Sequence, residues 1–199
     1  MNILKLLEDR LRVTDHELLQ MARDELIRLN GTGVPEPTVL AWLVKARSYL
    51  GLKEYKGREH NTTIVNWWIR IQQVFRDDET PWCAAFVGGV LEEVGIASTK
   101  KANARSYTTW GRLLDKPAVG CIVVFWRGKK SGWKGHVGFV TGKDEKGRLL
   151  VLGGNQSDAV NIKAFPKSRV LSYRWPKAVP LPVNYILPTG GAGATTGEA

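Results

Sequence analysis

The chain has 199 residues, 43% hydrophobic and 24% charged, which is ordinary globular usage and excludes a fibrous repeat or wholesale disorder in favour of one principal domain with a short accessory segment. Two cysteines, Cys83 and Cys121, exclude a disulfide framework and a four-cysteine zinc site, and no run of 18 apolar residues is present to span a membrane. The 29 Lys and Arg against 19 Asp and Glu give +10, a surplus that points to an anionic partner: nucleic acid, an acidic membrane surface or an acidic wall polymer.

In chain order, the first twelve residues carry Glu8 and Asp9 among leucines and lack both an apolar h-region and a small-residue cleavage site, so no secretory signal peptide is expected. Helices are expected over 2–12 and 15–29, the second opened by the capping box Thr14-Asp15-His16-Glu17. Residues 1–30 thus read as a helical extension. With six acidic and five basic side chains it has a net charge of −1, which leaves +11 to residues 31–199. The stretch Gly31–Pro37 reads as a linker.

Helical spacing returns over 39–50 and 62–75, the latter with Ile64, Val65, Trp68, Ile71 and Phe75 on one face. Pro81-Trp82-Cys83 opens a third helix that should reach Val94, with Gly95 placed to end it. Beyond Pro117 the period becomes that of strands: 122–126, 136–141, 149–152, 160–165 and 170–175. Helices followed by an antiparallel meander make an α+β domain, bounded at 38–177. Residues 178–199 form a tail, expected to be disordered from 189, where glycine and small polar residues take over.

A nucleophile needs a reason to be activated, and Cys83 has one in its place at a helix start. Unpaired N–H groups and the helix dipole there favour a thiolate, which predicts a lowered thiol pKa, and the same N–H groups can receive an oxyanion. Cys121, mid-strand, reads as a small hydrophobe. His16 and His60 sit in polar surroundings, whereas His136 opens a strand between Gly135 and Gly138, where an approaching thiol meets little bulk. Asn155 and Gln156 follow two glycines at the end of the strand from Leu149. Cys, His and Asn in that order supply a nucleophile, a general base and a group that fixes the imidazole tautomer, although Asn beside Gly also serves as a simple turn residue.

The runs Thr80-Pro-Trp-Cys-Ala-Ala-Phe-Val87, Gly135-His-Val-Gly-Phe-Val140, Val151-Leu-Gly-Gly-Asn-Gln-Ser157 and Tyr173-Arg-Trp-Pro176 resemble the CHAP family of cysteine, histidine-dependent amidohydrolases and peptidases. More narrowly, they are similar to its phage and bacterial wall-degrading branch, over about 42–176. The resemblance implies a papain-like α+β fold, with a helix-borne Cys against an antiparallel sheet, and cleavage of an amide bond in peptidoglycan. It implies Cys83 as nucleophile, His136 as base then acid, and Asn155 as orienting residue, with Gln156 its nearest rival. Glu54, Trp82, Trp133 and Gln156 are candidates for substrate contacts. Many relatives place Asp where Cys121 stands, and some place an acid at the position of Gly153.

No metal or cofactor is expected, since the remaining His, Asp and Glu residues lack close ligand spacing. Trp126-Arg-Gly-Lys-Lys-Ser-Gly-Trp-Lys134 puts four cations and two tryptophans just before His136, suited either to a solvated hairpin or to wall carboxylates and a stacked sugar. The partner expected is therefore peptidoglycan, met by a monomer without membrane insertion. Made without a signal peptide, the protein would reach periplasm or wall through holin-type pores or a secretion apparatus. An antibacterial effector amidase of the same chemistry is one alternative. A basic, tryptophan-rich nucleic-acid binder is another, but no helix-turn-helix, zinc-finger or aromatic strand motif supports it.

Overall fold

The computed structural model describes residues 40–182 and 185–190, so the expected helical extension, the linker and the last nine residues lie outside the described residues. Two compact units, Met1–Ala41 and Trp42–Ala199, make up the chain, and the described residues belong almost wholly to the second. Among them no helix is long and apolar enough to cross a membrane.

Three helices come first: α1 (Ala41–Ser48), α2 (Thr62–Arg70) and α3 (Cys83–Glu93). Asn61 caps α2, its side chain accepting from Thr63 N–H at 3.0 Å. The helix stops five residues short of its expected end, because Gln72 adopts a left-handed φ of 60° that turns the chain and lets Gln73 N–H close on Trp68 O at 2.9 Å. The apolar periodicity beyond it reports burial, not helix. Ile71 is enclosed, and the Phe75 ring sits 4.9 Å from that of Trp68.

Every residue of α3 from Cys83 to Leu91 is buried, as an all-apolar helix must be. It packs on α2 on one side and on the sheet on the other. Close approach to α2 depends on Gly89, where a Cβ would fall 2.2 Å from Trp67 Cδ1. The Trp67 ring meets Tyr49 and Phe86 edge-on at 5.0 and 5.2 Å, so that junction is an aromatic cluster. Burying Phe86, Val87, Val90 and Leu91 contributes about 1.5–3 kcal/mol each for the larger side chains.

The sheet is wholly antiparallel, in the order β1-β6-β2-β3-β4-β5, from β1 (Arg112–Leu114), β2 (Ile122–Trp126), β3 (Gly135–Lys143), β4 (Leu149–Gly153), β5 (Asn161–Phe165) and β6 (Val170–Trp175). This is the α+β architecture expected. Strands β2, β3 and β4 are buried along nearly their whole length, whereas β5 and β6 are mostly partly exposed. Strand β1 and the short 3-10 turn Ala104–Thr109 escaped the sequence reading, since three residues are too few to display a period. Of the expected tail, Thr189 bridges to Lys143, with Gly190 N–H on Lys143 O at 2.7 Å.

Candidate active site

Cys83 is the first residue of α3, and His136 is the second of β3, the strand against which α3 packs. The backbone N–H groups of Val137, next along from the imidazole, and of Ala84 and Cys83 at the helix start lie near enough to the thiol to favour its ionised form. No side chain caps that helix start at Trp82, which leaves first-turn N–H groups free to meet an incoming oxygen. Cys83 is 7% and His136 4% exposed.

Burial decides the protonation of both. It pushes the Cys83 thiol up, against the opposing pull of the three N–H groups and of Arg127. The lowered thiol expected from the helix start is thus overturned, because desolvation outweighs the dipole. Burial also brings His136 down to about 4, the Arg127 and Lys163 cations adding to the effect and the hydrogen bond to Gln156 opposing it. Each group taken alone is neutral at pH 7.

The imidazole partner is Gln156, not Asn155. Gln156 Oε1 lies 2.9 Å from His136 Nε2. The amide cannot be reversed, because its Nε2 donates to Val151 O, Asn161 O and Asn161 Oδ1, at 3.3, 2.7 and 2.9 Å. Oε1 therefore accepts, Nε2 of the imidazole carries the proton, and Nδ1 is left with its lone pair. Asn155, at a φ of 54°, lines the neighbouring cleft, and among the described residues its side chain makes no hydrogen bond. The turn of left-handed residues at Asn155, Ser157 and Asp158 is what brings the second amide, rather than the first, back to the ring.

Gly153 makes room for this arrangement. A Cβ there would stand 2.8 Å from Gln156 Oε1 and 3.1 Å from His136 Nε2, so the amide of Gln156 occupies space that any side chain at 153 would take. Phe165 stacks on the imidazole at 5.2 Å and 16° and shields its other face, with Phe125 stacked behind it at 4.8 Å.

The remaining candidates separate. Trp82 is fully buried, packed 5.9 Å from Trp67, and gives its indole N–H to Glu54 Oε2 at 3.0 Å. It has no face for a substrate and acts as a floor beneath the Gly154 turn, correcting the expectation of a contact. Glu54, half-buried, is held by that indole, and burial pushes its carboxyl up. Trp133 is 72% exposed on the loop between β2 and β3, far more open than any other site candidate. Asn161, Lys163 and Phe165 were not among the sequence-predicted site residues; on β5 they occupy alternate positions of a strand read only as a strand. Among the described residues no group of three His, Cys, Asp or Glu side chains could hold a metal ion.

The thiol thus stands at the first turn of α3 and the imidazole, held by Gln156, on the antiparallel sheet against which α3 packs. The family model for the CHAP domain matches residues 75–155, a similarity that points to hydrolysis of amide bonds. The match includes Cys83 and His136 and ends one residue before Gln156. No curated protein matches the chain significantly.

Proposed function

We propose that this chain is a peptidoglycan hydrolase that cuts an amide bond of the wall peptide by acyl transfer through Cys83. The observation that carries this reading is the tautomer lock: with Gln156 Oε1 on Nε2–H, the Nδ1 lone pair of a neutral His136 is the base available to the thiol. The thiol proton passes to Nδ1 as the sulfur attacks the carbonyl, and the developing oxyanion is received by the free N–H groups at the start of α3. The imidazolium then protonates the departing amine, leaving a thioester. Water, deprotonated by His136, releases the acid and restores the thiol. Gln156 takes the orienting role that the resemblance gave to Asn155.

The peptidoglycan substrate is supported by charge. Arg105 donates to the carbonyls of Lys134, Lys130 and Lys129, at 2.9, 3.0 and 3.3 Å, and so ties down the basic loop beside the site. Lys129, Lys130 and Lys134 remain exposed on it, with the Lys134 ammonium 5.9 Å from the Trp133 ring. A held basic loop with an open indole suits an acidic polymer of sugars and peptides. The form of this function that we put forward is a monomeric lytic enzyme of the phage endolysin type, acting in the periplasm or wall.

Purified walls incubated with the full chain should release new amino groups, with mass spectrometry of the fragments locating the cut amide and with no loss of rate in a chelator. Intact walls, or a rate abolished by chelation, would reject the reading. The triple variant Lys129→Gln, Lys130→Gln, Lys134→Gln should bind walls several-fold more weakly at about 20 mM salt, the deficit closing at about 0.3 M as screening shortens the reach of the charges. A deficit equal at both salts in a sedimentation assay would exclude the electrostatic role.

A further inference from the structure

Beside the imidazole lies a cleft of about 540 Å³, with His136 and Gln156 in its wall and the thiol outside its lining. We infer that this cleft is a subsite for a carboxylate on the leaving-amine side of the scissile bond, with Lys163 as its principal partner and Arg127 and Arg169 at its rim. The inference rests on the acyl-transfer reading above and names which part of the substrate sits where.

The position follows from the chemistry. In acyl transfer the carbonyl carbon stays on sulfur while the departing nitrogen takes its proton from the imidazole, so the leaving residue must extend over His136. The cleft opens on that side. Its volume is within the range of about 300–1,000 Å³ common for small-ligand sites, room for an amino-acid unit.

Its charge is unbalanced. Lys163 is 8% exposed, its ammonium donates to the Ser157 hydroxyl, and no carboxylate among the described residues pairs with it. The fold supplies no anion to that ammonium, which lines the cleft. Arg127 and Arg169 line the same cleft, Arg169 with its guanidinium 5.4 Å from the Trp126 ring. Asp158, exposed, is the one acid in the lining. Three cations against one carboxylate fit an anionic ligand, and the unpartnered amide of Asn155 adds a donor. An amino-acid leaving group carries a carboxylate; a wall phosphate would satisfy the same cations, so the test separates the two.

The full chain is titrated with N-acetylglutamate, its diamide and inorganic phosphate while the His136 imidazole resonances are followed by NMR. N-acetylglutamate should shift them saturably and the diamide should not. Lys163→Met should weaken that binding by at least about tenfold, and Arg169→Gln, at a half-exposed position, serves as a second variant with an unchanged melting temperature. In parallel, amidating the carboxylates of purified walls with a carbodiimide should slow wild-type hydrolysis by at least about tenfold, with little further loss in Lys163→Met. Equal responses to acid and diamide, unweakened binding in both variants, or saturation by phosphate alone would overturn the subsite, even with wall hydrolysis intact. Binding of N-acetylglutamate without any wall hydrolysis would sustain the carboxylate site and reject the peptidoglycan reading instead.

Discussion

On the proposed mechanism, Cys83→Ala should lower hydrolysis of purified walls by a factor of about 10⁴ or more, because no other group is placed to carry the acyl chain. The fold should survive it. Cys83 is buried at the helix start, and exchanging its thiol for a methyl forfeits about 1 kcal/mol of packing, a shift of a few degrees in melting temperature for a domain of this size. The backbone N–H groups of Val137, Cys83 and Ala84 that favour the ionised thiol are then left to water or to the substrate oxygen. Cys83→Ser is the sharper variant. It keeps an acceptor for those N–H groups, yet an alcohol is far less acidic than a thiol and its shorter C–O bond sits differently in a site built around sulfur, so its activity should fall nearly as far. Release of amino groups from walls and a thermal melt, taken on the same preparations, check both statements. A serine or alanine variant retaining a tenth of the wild-type rate would sink the nucleophile assignment.

The resting pair bears on how that nucleophile is made. Burial favours the protonated thiol and the neutral imidazole, so the proposed mechanism has the thiol pass its proton to His136 as it attacks the carbonyl. For His136 the sign is that of a group whose folded value, about 4, lies below its ordinary value of 6.5. Its contribution to stability is complete above pH 6.5 and is lost as pH falls toward 4, since protonation favours the unfolded chain. The base itself stays competent throughout that window.

The placements of Cys83 and His136 were legible in the sequence because each announces its own setting: a helix start after Pro81, and a strand start between glycines. The third member was not legible. Asn155 and Gln156 are adjacent amides, and which one meets the ring is decided by the left-handed turn at 155, 157 and 158, a backbone choice that residue types there do not dictate. The wall of the cleft was hidden for a related reason. Asn161, Lys163 and Phe165 fall on one side of β5 by simple alternation, and polar alternation looks the same whether it faces solvent or a site. The thiol's direction of shift was misjudged because the helix dipole is visible in sequence and the depth of burial is not.

The Gln156 assignment yields a double-variant prediction in which a side chain is added rather than removed. Gln156→Ala takes away the acceptor that fixes the tautomer and the donor that serves Val151 O and Asn161 O, so kcat should drop about 10²-fold, with a destabilisation of about 1–3 kcal/mol from the orphaned carbonyls. Gly153→Ala leaves every functional group in place. Its new Cβ, 2.8 Å from Gln156 Oε1, must push the amide off the imidazole, and activity should fall by a comparable factor. Since both changes break one contact, the double variant should be little worse than either single, far from the product of the two losses. The acid side of the pH profile separates this from general damage. Gln156 supports the protonated ring, so its removal moves the acid limb below its wild-type place near pH 4, whereas Gln156→Glu sets a carboxylate against Nε2 and moves the limb upward. Multiplying losses in the double variant, or an acid limb indifferent to alanine and glutamate alike, would return the orienting role to Asn155.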